Sequence, residues 1–339
     1  MSPDEAAGYL AEIAYLLRHK GDSHRSRAFT RVAQMVLRDR PDLDALQARS
    51  ALETLEGVGA GIARTLGELI ATGSSSYLDR LREELAQPDE PERAPFELSP
   101  LVEMGYLGDL HAHTDWSDGG ASVLEMARAA QARGYRYLAI TDHSPRMGVV
   151  NGLGPERLAA QRRLIDEANR TLDGFTVLQG IEVDILEDGS LDLPDETLAA
   201  LDVVVASPHL KLRMERAAMT ERMLRAVAHP HVDIVGHPTG RRPGSRQGAE
   251  YDYEAVFAAA ARAGVVLEID CDPNRMDLSP ELATLALAQG CHLSLDSDAH
   301  APDQLVYVDL GIWMARRAGV ATDRLINWRD VAGLRELFG

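Results

Sequence analysis

Two histidines stand one residue apart at His111 and His113, and an aspartate follows five positions on at Asp118. Polar residues at the ends of apolar runs then recur as Thr141-Asp142-His143, Gly180-Ile181-Glu182, Ser207-Pro208-His209, Gly236-His237 and Ser297-Asp298-Ala299-His300. Alternate side chains of a β-strand share a face, so His111 and His113 can point the same way. Imidazoles and carboxylates brought together make a mixed N/O donor set suited to zinc, manganese or iron. One His-x-His pair arises easily by chance. Its echo at run after run does not.

The candidate ligands are His111, His113, Asp118, His143, Glu182, His209, His237, Asp298 and His300. A single zinc takes about three or four protein ligands, so this set points to roughly two or three ions with a carboxylate bridging. Ions about 3.5–4 Å apart hold a hydroxide and brace the attacking and leaving oxygens of a phosphoryl group. Hydrolysis of a phosphate ester is the natural reaction, with amide or amidine hydrolysis as its chemical rival.

Such a site needs elements that deliver one residue each to a common point. After residue 105 the sequence alternates short β-rich runs (106–111, 136–141, 176–183, 202–206, 232–236, 265–270, 292–296) with amphipathic stretches near 121–133, 155–171, 216–228, 252–263, 279–289 and 304–318. This alternation predicts a parallel sheet covered by helices. The polar residues fall at the C-terminal ends of the candidate strands, where a closed barrel gathers groups from many strands at once. A doubly wound sheet would gather them mainly at one switch point. The expected fold class is therefore α/β, a barrel behind a small helical domain.

The helical patterns of the first part cover roughly 4–20, 24–38 and 42–54, and a further one follows Gly57-Val58-Gly59-Ala60-Gly61 and stops at Thr72-Gly73. Pro88, Pro91, Pro95 and Pro100, set among acidic residues, read as a linker. The expected organisation is a helical domain over 1–85, a linker over 86–104 and a barrel domain over 105–339.

Hydrophobic residues make up 45% and charged residues 26% of the 339, the balance of a soluble globular protein. No apolar run reaches membrane-spanning length and the N-terminus lacks a secretory pattern, so a cytoplasmic protein with no membrane partner is expected. Two cysteines, Cys271 and Cys291, are too few for a disulfide framework. The net charge of −18 argues against broad, non-specific polyanion binding. Residues 1–85 carry only −2 of it, which makes them the better place for a nucleic-acid contact.

As a set, Asp109-Leu110-His111-Ala112-His113-Thr114, Ile140-Thr141-Asp142-His143, Gly180-Ile181-Glu182, His209, Gly236-His237-Pro238 and Asp298-Ala299-His300 resemble the PHP (polymerase and histidinol phosphatase) domain over about 105–337. The resemblance implies a distorted (β/α)7, TIM-like barrel holding three divalent ions (zinc, manganese or iron) at its rim. It makes all nine residues ligands, with Glu182 bridging two ions and a metal-held hydroxide as nucleophile. Glu182, Asp298 and His143 would stand nearest the reaction.

Gly21-Asp22-Ser23-His24-Arg25-Ser26-Arg27-Ala28-Phe29 and Leu55-Glu56-Gly57-Val58-Gly59-Ala60-Gly61-Ile62-Ala63 resemble the N-terminal domain of bacterial X-family DNA polymerases. Only about 24 residues separate Leu85 from Asp109, too few for a palm, so polymerase activity is not expected. The resemblance makes Gly57, Gly59 and Gly61 a helix-hairpin-helix turn whose amides bind a DNA phosphate. A tight helix connection is the structural alternative. Thr65 stands where relatives carry a Schiff-base lysine, so lyase chemistry is not expected.

Arg275, Arg241 and Lys211 lie near motif loops as substrate-phosphate contacts or as surface cations. Glu268 reads as a partner orienting a ligand histidine or as a charge at the barrel mouth. Cys271 reads as a buried, inert thiol, and His19, His24, His229, His231 and His292 as surface or packing residues. The expected function is a metal-dependent phosphoesterase acting on phosphodiesters at DNA 3′ ends, as a 3′–5′ exonuclease or end-processing enzyme in DNA repair. The alternatives are a phosphomonoesterase acting on histidinol phosphate or a nucleotide, and a non-catalytic DNA-binding protein with structural metals.

Overall fold

The computed structural model describes residues 1–85, 102 and 104–339, so nearly all of the expected linker lies outside the described residues. The chain divides into two compact units, Met1–Leu101 with Pro243–Arg246 and Val102–Arg242 with Gln247–Gly339.

In the first unit α1 (Pro3–His19) starts at a capping box: Ser2 Oγ accepts from Glu5 N at 3.1 Å, and Glu5 Oε2 accepts from Ser2 N at 2.7 Å. Asp22 caps α2 (Ser23–Asp39) through the Arg25 amide at 3.1 Å. Leu10, Ile13 and Leu17 of α1 and Val32 and Val36 of α2 are buried, each contributing about 1.5–3 kcal/mol of apolar transfer. The continuous helix expected over 42–54 is instead α3 (Leu43–Ala48) and a 3-10 turn (Leu52–Thr54), separated where Ser50 takes φ 53°.

Gly57 has φ 77° and leads to α4 (Ala60–Thr72), followed by α5 (Ser76–Leu85), a helix the sequence patterns did not mark. Val58 is buried and anchors the hairpin, while Gly57, Gly59 and Gly61 stay exposed. Thr65 is buried and its Oγ1 donates to Gly61 O at 3.2 Å.

In the second unit seven strands run parallel in chain order: β1 (Gly108–Asp109), β2 (Tyr137–Ile140), β3 (Thr176–Asp184), β4 (Val203–Ser207), β5 (Ile234–Val235), β6 (Val266–Asp270) and β7 (Leu293–Asp296). The last strand returns to the first through a parallel bridge Ala112↔Ala299 and a hydrogen bond from Leu110 N to Asp296 Oδ1 at 2.8 Å. The result is a nearly closed, TIM-like (β/α)7 barrel, as the alternation of patterns predicts. β1 is shorter than expected because the chain leaves the ladder to form the His111–His113 loop.

The intervening helices are α6 (Val123–Ala132), α7 (Pro155–Thr171), α8 (Asp195–Leu198), α9 (Arg216–Val227), α10 (Tyr253–Ala263), α11 (Pro280–Ala288) and α12 (Tyr307–Arg317), with α13 (Val331–Phe338) at the end. The short α8 and the final α13 were not anticipated. The barrel is sorted by polarity along its axis. Leu110, Tyr137, Leu178, Val203, Val205, Ile234 and Val266 form an apolar core that Leu334 of α13 joins. The polar groups are left to the opposite, C-terminal rim. No helix among the described residues is long and apolar enough to cross a membrane.

Candidate metal centre

Eight of the nine candidate ligands lie within a few residues of the C-terminal end of a strand, and Asp118 lies on the loop between β1 and α6. His111 and His113 follow β1, and His113 N is held by Ala299 O at 2.8 Å. His143 follows β2 and bridges in parallel to Glu182 of β3. His209 follows β4, His237 follows β5, and Asp298 and His300 follow β7. His237 (φ 25°) and Asp298 (φ 50°) have left-handed backbones, a local cost accepted at two of the candidate ligand positions.

Glu182 is the hub. Its Oε1 lies 2.7 Å from His237 Nε2 and 3.1 Å from His209 Nε2. Its Oε2 lies 2.8 Å from His143 Nδ1, 3.6 Å from His111 Nε2 and 3.7 Å from His113 Nε2. Asp298 Oδ1 is 3.0 Å from His113 Nε2 and 3.6 Å from His111 Nε2. Asp118 Oδ1 is 3.6 Å from His143 Nε2 and 3.5 Å from His300 Nε2. Three groups have ligand atoms close enough to share an ion: His113, Asp118, His143 and His300; His111, His113 and Asp298; and His143, Glu182 and His209. His237 stands outside these groups but touches the Glu182 hub.

The donors fit divalent ions on a direct observation. His111 Nε2, His113 Nδ1, His143 Nδ1, His209 Nε2, His237 Nδ1 and Glu182 Oε2 are buried and, despite their short mutual distances, none has a partner in hydrogen-bond geometry. Buried polar atoms are ordinarily satisfied, so this concentration of unsatisfied lone pairs is a cradle for cations.

Titration behaviour follows from the same crowding. Burial opposes charge on His143, yet Glu182 and Asp118 outweigh it and push its pKa up to about 10. Burial is likewise overcome at His300 by Asp118 and Asp298, giving about 9. His111 rises well above the usual imidazole range under Glu268, Glu182 and Asp298, against burial. His113 falls to about 3 through burial and then its neighbours His300 and His143, and His237 falls to about 3 through burial and then Arg275. Burial works against the charge of Glu182, but His209, His143, His111 and His237 hold its pKa well below the carboxylate range. Ions must displace protons from the raised imidazoles.

A second layer fixes the first. Glu268 Oε1 lies 2.6 Å from His111 Nδ1, and its other oxygen accepts from the His237 amide, so it orients a candidate ligand histidine. Asp184 Oδ1 does the same for His209 Nδ1 at 3.0 Å. Asp184 was not singled out in the sequence, although its place two residues after Glu182 on one strand puts both on the same face. Asp142 stands in the sequence only as part of the Thr141-Asp142-His143 motif. It is buried and accepts from Thr114 N and Oγ1, from Ser117 Oγ and from Gln161 Nε2, and so fastens the loop carrying Asp118.

The three cations near the motif loops differ in placement. Arg275 is buried with its Nε 3.0 Å from Asp298 Oδ2 and 3.4 Å from Asp270 Oδ2. Arg241 Nε donates to Met276 O at 2.9 Å. Lys211 is exposed, with φ 56°. Cys271 is fully buried and burial pushes its thiol pKa well up, as expected of an inert side chain.

Comparison with known proteins agrees with this geometry. The PHP domain model matches residues 109–273. The DNA polymerase/3′-5′ exonuclease PolX of Bacillus subtilis (strain 168) is 40% identical over 232 residues, covering 68% of this chain and 41% of that protein. This chain thus spans less than half the length of that relative. A probable phosphatase of Edwardsiella ictaluri is 35% identical over 232 residues, covering 66% of this chain and 90% of its own length. A probable phosphatase of Thermoanaerobacter sp. (strain X514) is 29% identical over 242 residues, covering 67% and 92%. With its parallel seven-stranded barrel and its rim of histidines and carboxylates, the chain belongs to the PHP domain family of metal-dependent phosphoesterases.

Proposed function

We propose that this phosphoesterase hydrolyses phosphodiesters at DNA 3′ ends, as a 3′–5′ exonuclease or end-processing enzyme. The observation that carries the reading is the pairing of the rim centre with a separate helical unit whose glycine hairpin leaves its amides exposed. Gly59 begins α4 with no side-chain cap, so the first α4 amides face solvent and can meet a phosphate oxygen without reading bases. The 40% identity to a protein named as a polymerase and 3′-5′ exonuclease supports the same substrate class.

At the rim, His111, His113, Asp118, His143, Glu182, His209, His237, Asp298 and His300 would hold three divalent ions. When bound, those ions supply an activated water and positive charge against the phosphoryl oxygens. Glu182 would keep the histidines converged, while Glu268 and Asp184 would fix the orientation of His111 and His209. Arg275 would hold Asp298 in place through its 3.0 Å contact and extend positive charge towards the mouth. Lys211 and Arg241 would meet flanking phosphates.

Relatives named as probable phosphatases favour a second reading, a phosphomonoesterase of small molecules. The two separate on a denaturing gel. A 5′-labelled recessed duplex and its single strand are incubated with the Mn²⁺-loaded chain beside His111→Ala. A descending ladder that the variant loses supports the DNA-end reading. Intact oligonucleotide, with turnover of a nucleotide monophosphate or histidinol phosphate, selects the phosphomonoesterase.

A further inference from the structure

Trp116 stands three residues after His113 and two before Asp118, inside the loop that carries two of the candidate ligands. That loop is tied down by its backbone. Trp116 N donates to Thr114 Oγ1 at 3.2 Å, and Trp116 O accepts from Asn151 Nδ2 at 3.3 Å and from the Arg157 guanidinium. Arg157, in the first turn of α7, also donates to the Asn151 and Gly152 carbonyls and lies over the indole, 5.5 Å from the ring centroid. The ring is therefore held by a cation on one face, which strengthens an aromatic surface for stacking. The residue is partly exposed.

Hydrolysis alone requires only charge at the rim, yet exposed apolar side chains stand on its loops. Of three exposed large hydrophobic side chains among the described residues, two lie on loops leaving the same rim. Val149, 93% exposed, is on the loop after His143, and Leu210, 40% exposed, directly follows His209. The Asn151 hydrogen bond ties the first of these loops to the Trp116 backbone carbonyl. Exposed apolar groups beside a polar centre mark the place where an apolar part of a ligand rests. Asp118 is at most about 7 Å of chain from Trp116, so one nucleotide can reach both.

We infer that Trp116 is a stacking platform for the base of the nucleotide whose phosphodiester is cleaved. The substrate class is a nucleoside phosphodiester rather than a phosphate ester of an aliphatic alcohol. The inference rests on the phosphodiesterase reading above and adds the part of the substrate that the rim grips. Stacking tolerates every base, so the platform confers no sequence preference.

The test compares two substrate pairs on the full, Mn²⁺-loaded chain. One pair is a 5′-labelled duplex ending 3′ in thymidine and the same duplex ending in an abasic tetrahydrofuran residue. The other is thymidine 5′-(p-nitrophenyl phosphate) and methyl p-nitrophenyl phosphate, which share a leaving group. The wild type is expected to favour the base-bearing member of each pair by about 10-fold in kcat/KM, chiefly through KM. Trp116→Ala should bring that ratio close to one, and Trp116→Phe should restore most of it. A residue that only shapes the loop would lower both members alike and leave the ratio standing, which overturns the inference. So does a wild-type ratio near one. Base dependence confined to the p-nitrophenyl pair, with DNA ends intact, keeps the platform and rejects the DNA-end reading. Hydrolysis of neither pair rejects both.

Discussion

His111 Nδ1 lies 2.6 Å from Glu268 Oε1, and the opposite ring nitrogen faces Glu182 and Asp298 at 3.6 Å each. The carboxylate behind the ring thereby selects which nitrogen is offered to the centre and stiffens its aim. Glu268 is buried, and burial raises its pKa to about 7 while His111 restrains the rise. Glu268→Gln should lower metal affinity and phosphoesterase activity by about 10-fold to 100-fold. Competition with a chelator measures the first, and the same loss should appear in both. Unchanged affinity would mean that His111 is aimed without Glu268.

Asp118 is the most exposed of the nine, its side chain 31% accessible, and it belongs to only one of the three ligand groups. Asp118→Asn should therefore release the ion shared with His113, His143 and His300 first, leaving the two inner ions in place. Metal content after dialysis reads this directly. Loss of every ion would place Asp118 at the heart of the centre rather than at its edge.

The raised imidazoles make metal loading pH-dependent. In the metal-free chain His143 (about 10) and His300 (about 9) hold protons at pH 7. These folded pKa values exceed the unfolded value of about 6.5, so they stabilise the metal-free fold fully below that pH. The stabilisation is lost as pH rises through about 9 to 10. Ions need the lone pairs, so loading at pH 7 should release protons and affinity should climb with pH across the same window. Calorimetry in two buffers of different ionisation enthalpy counts the protons. No release at pH 7 would contradict the assignment.

In the helical unit Gly57 and Gly61 should behave differently. Gly57 has φ 77°, so Gly57→Ala should destabilise the unit by about 1 kcal/mol. Gly61 is inside α4 with open space around it, so Gly61→Ala should hold or raise stability, by up to about 1 kcal/mol. Its added methyl should nonetheless weaken DNA binding if a phosphate approaches the backbone there. Urea melts and a DNA titration of both variants separate folding from binding.

Much of this is legible in the residues because the candidate ligands, Asp118 apart, lie close to strand ends. The parallel barrel follows from alternating patterns, and seven of its strands and six of its helices fall where those patterns lie. α5, α8 and α13 escaped notice for physical reasons. α8 has one turn, and α5 and α13 draw their definition from packing rather than from a long apolar period. The break at Ser50 depends on one left-handed residue that propensity does not mark. Asp184 and Asp142 act through other side chains, so their meaning emerges only when His209 and the Asp118 loop are seen beside them. Arg275 was legible as a cation near the mouth, but not its contact with Asp298, which requires the β6 and β7 ends to be neighbours.

The proposed multi-ion centre joins the nine rim residues around Glu182, which faces five histidines within 3.7 Å. Mass-spectrometric counting of ions per chain, after saturation with Mn²⁺ or Zn²⁺ and removal of excess, tests it most directly. Three ions are expected in the wild type, and more than one lost with phosphoesterase activity in Glu182→Gln. A single ion in the wild type, or a full complement and full activity in Glu182→Gln, would contradict it.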